Sequence, residues 1–332
     1  MARAPSVSLA MVAARANVSI ATASRVLNGV PNRASSETAD RVRAAAAELD
    51  YRPAVAGQML RGQPSRLVAV IAADLANPAM AAMAASIEHA LRDRGLVMAL
   101  GDNHQRADLQ DAFLAEMSAH RVRAVLLIGA EASPGLTRIR AEGTPVIFVN
   151  RPAPDDDGAA YVGLDNDRAG ADLARHLIER GHSRIGLVHA ILDGTASGLR
   201  RKGLLRGLAS GGIPRDAILE AGVPLANHLE AGFQAMQAIL ARGDPPTVVA
   251  CLTDTLAYGA HRALRQARDA PQVAFYGFDD AFLNDWVAPW LNSVAAPVDL
   301  YGPAVLEMLD RLGNDASTDF TLHLPHDITL RT

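Results

Sequence analysis

From Arg66 onward the chain alternates short apolar runs with longer amphipathic stretches, the pattern of repeated β-α-β units. The apolar runs predict strands at Leu67–Ala72, Val97–Gly101, Ala124–Ile128, Val146–Asn150, Ile185–His189, Val248–Leu252, Val273–Gly277 and Ser293–Ala296. Apolar spacings of three and four predict helices over Pro78–Arg94, Asp108–Ala119, Arg168–Arg180, Leu199–Ser210, Leu229–Arg242, Thr255–Arg268 and Asp299–Leu312. These are more strands than one such sheet usually holds, and the polar stretch 152–157 interrupts them midway. The expected class is therefore α/β, with two lobes of doubly wound parallel sheet.

The first fifty residues follow a helical period throughout. Leu9, Val12, Ala13 and Ala16 share one face of a short helix that Ser8 caps, and Asn17 ends it because asparagine tolerates a left-handed backbone. Ser19 then caps a second helix over Ile20–Leu27, so about three residues separate the two, the layout of a helix-turn-helix. Asn28, Gly29 and Pro31 stop the second helix, and Ser35 caps a third over Thr38–Leu49 with Val42, Ala45 and Leu49 inward. Residues 54–61 have room for one more short helix before the Gly62-Gln63-Pro64-Ser65 linker. The expected divisions are a headpiece at 1–53, a hinge and linker at 54–65, and a large domain at 66–332. Its N-lobe takes about 66–162 and 295–316, and its C-lobe about 163–292 and 318–332.

Charge divides the chain at the same place. Residues 1–66 hold nine arginines against four acids, a balance of +5, whereas the remainder holds 23 basic and 32 acidic residues, a balance of −9. Only the first fifth is suited to phosphates. Apolar stretches such as 123–132 are too short to span a bilayer, and Arg15 and Asn17 interrupt any signal-peptide core, so a cytoplasmic protein is expected. The single cysteine, Cys251, excludes an internal disulfide.

The string from Val12 to Gly29, VAARANVSIATASRVLNG, together with Tyr51-Arg52-Pro53, resembles the N-terminus of the lactose-repressor (LacI/GalR) family, and the resemblance runs through residues 7–332. It implies a periplasmic-binding-protein-like large domain, a helix-turn-helix whose second helix enters the major groove, and a hinge helix that inserts into the minor groove. Ile20, Ala21 and Arg25 fall on the outward face of that second helix. There a guanidinium pairs with guanine acceptors and small apolar groups meet thymine methyls. Ser19, Thr22 and Ser24 are within reach of phosphates, and Asn28 and Arg33 belong to the same set. In the hinge, Leu60 matches the family's wedging leucine and Arg61 lies near phosphate. Ala54 stands where asparagine is common and Gly57 where alanine is common. A glycine at mid-helix lowers helix stability by roughly 1 kcal/mol, so the hinge is expected to be disordered without DNA.

Polar residues follow the apolar runs, where ligands sit in open α/β sheets: Asp74 and Asn77, Asp102, Asn150-Arg151, Asp254, and Gly277-Phe278-Asp279-Asp280. Carboxylates, amides and an arginine around one cleft suit the hydroxyls of a sugar or another polar metabolite. The resemblance implies effector contacts at Arg200 and Asp279, then Asp254, Arg151 and Asn77; Asp102 joins them by position. Ala79 and Met80 stand where the family often has aromatic residues, and Trp286, with Trp290, Tyr161 and Phe278, is the candidate for a stacking face. Asn77, Asp254 and Asp279 each have an alternative as a helix cap or turn residue.

An enzyme is not expected. No two glycines are spaced G-x-G, the one lysine, Lys202, follows no phosphate loop, G-x-S-x-G is missing, and the ten histidines lack zinc-ligand spacing. Neither cofactor nor metal is expected. The sequence reads as a DNA-binding regulator with a near-palindromic operator, a small-molecule effector and a homodimeric state, since no leucine heptads follow Leu312. The alternative is a solute-binding protein of sugar transport.

Overall fold

The computed structural model describes residues 7–27, 34–51, 65–155, 158–191, 196–224, 227–268, 271–314 and 320–331. The chain divides into two compact units, 1–65 and 66–332. In the first, helices α1 (Leu9–Arg15), α2 (Ile20–Leu27) and α3 (Ser36–Glu48) enclose a small core of Val12, Ala13, Ala16, Ala23, Val42, Ala45 and Ala46. The caps form as expected: Ser8 Oγ accepts from Met11 N, Ser19 Oγ from Thr22 N at 3.1 Å, and Ser35 Oγ from Thr38 N. Asn17 takes φ 51° and turns the chain between α1 and α2.

The second unit holds two six-stranded sheets. The first contains β1 (Leu67–Ala72), β2 (Val97–Asp102), β3 (Ala124–Ile128), β4 (Val146–Val149), β5 (Tyr161–Leu164) and β11 (Thr321–Leu324), in the order β11-β5-β4-β3-β1-β2. The second contains β6 (Ile185–Ile191), β7 (Ile218–Pro224), β8 (Val248–Cys251), β9 (Ala274–Asp279), β10 (Leu291–Ala295) and β12 (Asp327–Thr329), in the order β12-β10-β9-β8-β6-β7. Every pairing is parallel except β10 with β12. Strand order reverses between β1 and β3 in one lobe and between β6 and β8 in the other, which sets a ligand crevice at the carboxyl ends of those strands. Buried runs such as Ala124–Ile128 fit sheets covered on both faces.

Two corrections to the expected layout concern short elements. Residues 318–332 were expected in the C-lobe, but Thr321–Leu324 pairs in parallel with Tyr161–Leu164 and belongs to the first sheet; only Asp327–Thr329 joins the second. The chain therefore crosses between lobes three times, near residues 165, 296 and 325. Strands β5, β7, β11 and β12, and a helix over Pro134–Ala141, were not expected. Each is short or mixed in character: β7 carries Glu220, Gly222 and Pro224, and the helix buries only Leu136 and Ile139. Among the described residues no helix is long and apolar enough to cross a membrane.

Candidate functional site

In the helical unit, buried Ala23 and half-buried Val26 fasten α2 to α1 and α3. The opposite face is left outward: Ile20 is 55% exposed, and Ala21 and Arg25 are exposed beside it. Ser19 and Thr22 hydroxyls lie 2.9 Å apart at the start of the helix, and Arg15 binds Glu48 at 2.6 Å, bracing α1 against α3. A short helix with apolar and guanidinium groups on one free face, and hydroxyls at its N-terminus, has the chemistry for base edges and phosphates. Asn28, Arg33, Ala54, Gly57, Leu60 and Arg61 lie outside the described residues.

In the larger unit, one cleft is lined from both lobes by Ala73, Asn77, Gly129, Asn150 and Arg151 of the first and Ser197, Arg200, His228, Thr253 and Asp279 of the second. Its centre is Arg200, 1% exposed, on the helix Ala196–Ser210. That helix lies against Asn166–Glu179 so closely that a Cβ on Gly203 would meet Asp167 O at 1.8 Å, and one on Gly170 would meet Arg200 O at 2.1 Å. The two glycines thus let the helices touch and seat Arg200.

Arg200 is nearly saturated by protein. Nε donates to Asn166 Oδ1 at 2.8 Å, Nη1 to Leu252 O and Asp279 Oδ1 at 3.0 Å each, and the guanidinium lies 4.7 Å from the Phe278 ring centre. Nη2, though buried, has no hydrogen-bond partner among the described residues. A buried cationic N–H without an acceptor is costly, and in a cleft it marks where a ligand oxygen belongs. Asp279 presents its carboxylate from a strained backbone, φ 102°, and Asn150 follows β4 at φ 63°. Burial pushes the Asp279 carboxyl up and the Arg200 charge beside it pulls it back.

Of the seven expected effector contacts, Asn77, Arg151, Arg200 and Asp279 line the cleft. Asn77 also caps the helix Pro78–Asp93, its Oδ1 accepting from Ala79 N at 2.9 Å, and Arg151 binds Glu131 at 3.1 Å. The other three do not line it. Asp102 accepts from Leu75 N and His104 N and shapes the loops. Asp254 is buried behind Thr253, accepting from Ala281 N, Asn284 Nδ2 and Ser293 Oγ; burial and neighbouring Asp279 push its carboxyl up to about 7. Trp286 is 84% exposed on the short helix Asn284–Val287. The remaining aromatic candidates are also occupied: Phe278 lies under Arg200, Trp290 stacks on His261 at 3.7 Å, and Tyr161 donates to Leu164 O. Residue order did not single out Gln105, Ser197 and His228, which also line the cleft: Gln105 lies three residues past the end of β2, and Ser197 and His228 lie at the starts of the helices that follow β6 and β7. His228 stands first in the helix His228–Leu240, with its buried Nδ1 unpartnered.

The family model for bacterial regulatory proteins of the lacI family matches residues 8–54, and that for a periplasmic binding protein domain matches 68–313. The HTH-type transcriptional regulator GalR of Escherichia coli (strain K12) is 32% identical over 296 residues, which cover 86% of this chain and 83% of GalR. The chain belongs to the lacI family of bacterial regulatory proteins. Within that family the HTH-type transcriptional repressor CytR of the same strain is 30% identical over 306 residues, 91% of this chain and 88% of CytR. A crystal structure of the Lac repressor dimer bound to operator and the anti-inducer ONPF superposes with a TM-score of 0.84, covering 98% of each chain at 24% identity. The lacI-family fold, with its helical headpiece and two-sheet α/β domain, is thereby shown, and the protein is a DNA-binding transcription regulator, in place of a transport receptor.

Proposed function

We propose that this regulator is a cytoplasmic repressor that binds a near-palindromic operator as a homodimer and is controlled by a small hydroxylated metabolite held in the interlobe cleft. The headpiece contacts in this reading are Ser19, Ile20, Ala21, Thr22, Ser24 and Arg25. The effector contacts are Asn77, Arg151, Arg200 and Asp279. The observation that carries the reading is the couple at the cleft centre. Arg200 Nη2 is a buried donor without an acceptor among the described residues, and the carboxylate of Asp279 beside it is held by Arg200 through Oδ1 only. Donor next to acceptor suits a hydroxyl, which uses both. Among the described lining residues the one aromatic ring is the imidazole of His228, and no Phe, Tyr or Trp offers a broad platform for a nucleobase, so a sugar-sized polyol fits better. The dimeric, operator-bound state of the Lac repressor structure supports the assembly.

Two measurements test it. A duplex selected from a random library should be retained well above bulk duplex, with affinity falling steeply as salt rises. A thermal-shift screen of sugars and nucleosides should find a stabilising polyol, and Arg200→Ala, if circular dichroism shows it folded, should abolish the shift. No preference among duplexes, or an undiminished shift in Arg200→Ala, would overturn the proposal.

A further inference from the structure

The cleft contains a second buried polar atom without a hydrogen-bond partner among the described residues, Nδ1 of His228. His228 also lines an adjoining polar chamber with Asp74, Asn77, His104, Gln105 and Asn227, so it stands where the two spaces meet. Charged and titratable groups facing this junction are Asp74, His104 and Arg151 from the first lobe, and Arg200 and Asp279 from the second; Glu230 follows on its own helix. A neutral imidazole has one bare nitrogen that can only accept, and the partnerless Nδ1 is assigned that role in the proposal that follows.

We propose that His228 is a specificity-determining contact of the effector, its neutral Nδ1 accepting a hydrogen bond from a ligand hydroxyl at the chamber junction while Arg200 and Asp279 hold the ligand's other end. The proposal rests on the polyol reading of the cleft. Two further features agree with a neutral ring. Burial lowers the His228 pKa, outweighing the pull of Asp74 and Asp279, and the positive end of its own thirteen-residue helix disfavours a cation there. A site with this contact prefers a hydroxylated ligand to one carrying a carboxylate at that end, because an anion there requires the imidazolium.

The test uses the full chain and a panel of D-glucose, D-galactose, D-ribose, D-gluconate and cytidine, ranked by thermal shift. The best binder is then measured by calorimetry against wild type, His228→Phe and His228→Asn from about pH 8 to about pH 5.5. His228→Phe keeps the ring and removes the acceptor, and should lose about tenfold in affinity; His228→Asn, which offers an amide oxygen, should lose less. Wild-type affinity should be level above neutrality and fall on acidification, and that fall should vanish in His228→Phe. Equal affinity in wild type and His228→Phe overturns this inference and leaves the polyol reading standing. If D-gluconate binds best, with affinity that rises on acidification and proton uptake in calorimetry, the contact is an imidazolium–carboxylate pair and the proposal is wrong. No shift by any panel member in wild type sinks the polyol reading, and this inference with it.

Discussion

Asp254 shows how a buried carboxylate can tax a lobe it helps to build. Two donors, Ala281 N at 2.8 Å and Asn284 Nδ2 at 2.7 Å, share Oδ2, and Ser293 Oγ donates to Oδ1 at 2.6 Å. Burial and Asp279 outweigh these bonds and hold the carboxyl near pH 7, against 3.8 for an ordinary aspartate. Below about pH 4 the group is protonated in both folded and unfolded chains and its titration is neutral to stability. Between about 4 and 7 the folded state keeps a proton that the unfolded chain has released, so the lobe grows easier to unfold as pH rises through that window. A rise from 3.8 to about 7, at 1.36 kcal/mol per pH unit, is roughly 4 kcal/mol by pH 8. Asp254→Asn preserves the shape. Its amide oxygen keeps both Oδ2 donors, and its nitrogen donates to Ser293 Oγ, which turns to accept. The two tryptophans, Trp286 and Trp290, both lie just before β10 in the same lobe, so their fluorescence reports its unfolding in urea. The variant should match wild type near pH 4.5 and exceed it increasingly toward pH 8. Parallel curves, or a variant weaker at every pH, would show that the carboxylate is charged and stabilising at its helix N-terminus.

Other outcomes follow from packing and from the free face of α2. Gly203→Ala places a methyl against Asp167 O, which forces the two helices apart; a loss of about 1–3 kcal/mol in chemical unfolding and of effector-induced thermal shift is expected. Arg25→Ala should weaken the preferred duplex by about 1–3 kcal/mol in fluorescence anisotropy, and bulk duplex far less, if Arg25 reads a base. Ser19→Ala removes the hydrogen bond to Thr22 N and should cost the headpiece about 1 kcal/mol in a thermal melt.

Periodicity made the helices and the strands that flank the two switch points legible, because each is long enough to repeat its pattern. Caps were legible for a stronger reason: Ser8, Ser19 and Ser35 act through bonds to residues three positions on, which sequence order specifies directly. The three crossings between lobes were less so. Strand β11 joins β5 over more than 150 positions of chain, and nothing local in Thr-Leu-His-Leu states which sheet it enters. The cleft shows the same division. Arg200 and Asp279 were found, but the roles of Asp102, Asp254 and Trp286 depend on which way each side chain points after the strand ends. Asp254 turns inward to Ser293 and Asn284, thirty or more positions away, and Trp286 turns out. His228 was missed because what marks it is an Nδ1 without a partner among the described residues, and that is a property of the folded surroundings alone.

Coupling between the two units is the part of the proposed function with the most demanding test. The cleft residues come from both lobes, Asn77 from one and Arg200 with Asp279 from the other, so a ligand that touches all three favours the lobe arrangement that brings them together. If operator binding favours or disfavours that arrangement, the effector changes operator affinity by some factor, and linkage requires the operator to change effector affinity by the same factor. Whether the sign is release or recruitment does not alter this equality. Calorimetry of the effector with and without saturating operator, set beside anisotropy of the operator with and without saturating effector, measures both ratios in one buffer. Equal ratios, about fivefold to 150-fold, are expected for coupling of the usual 1–3 kcal/mol. A ratio of one in both directions, with the effector demonstrably bound in the cleft, would mean that the large domain binds its ligand without informing the headpiece, and the allosteric reading would fail.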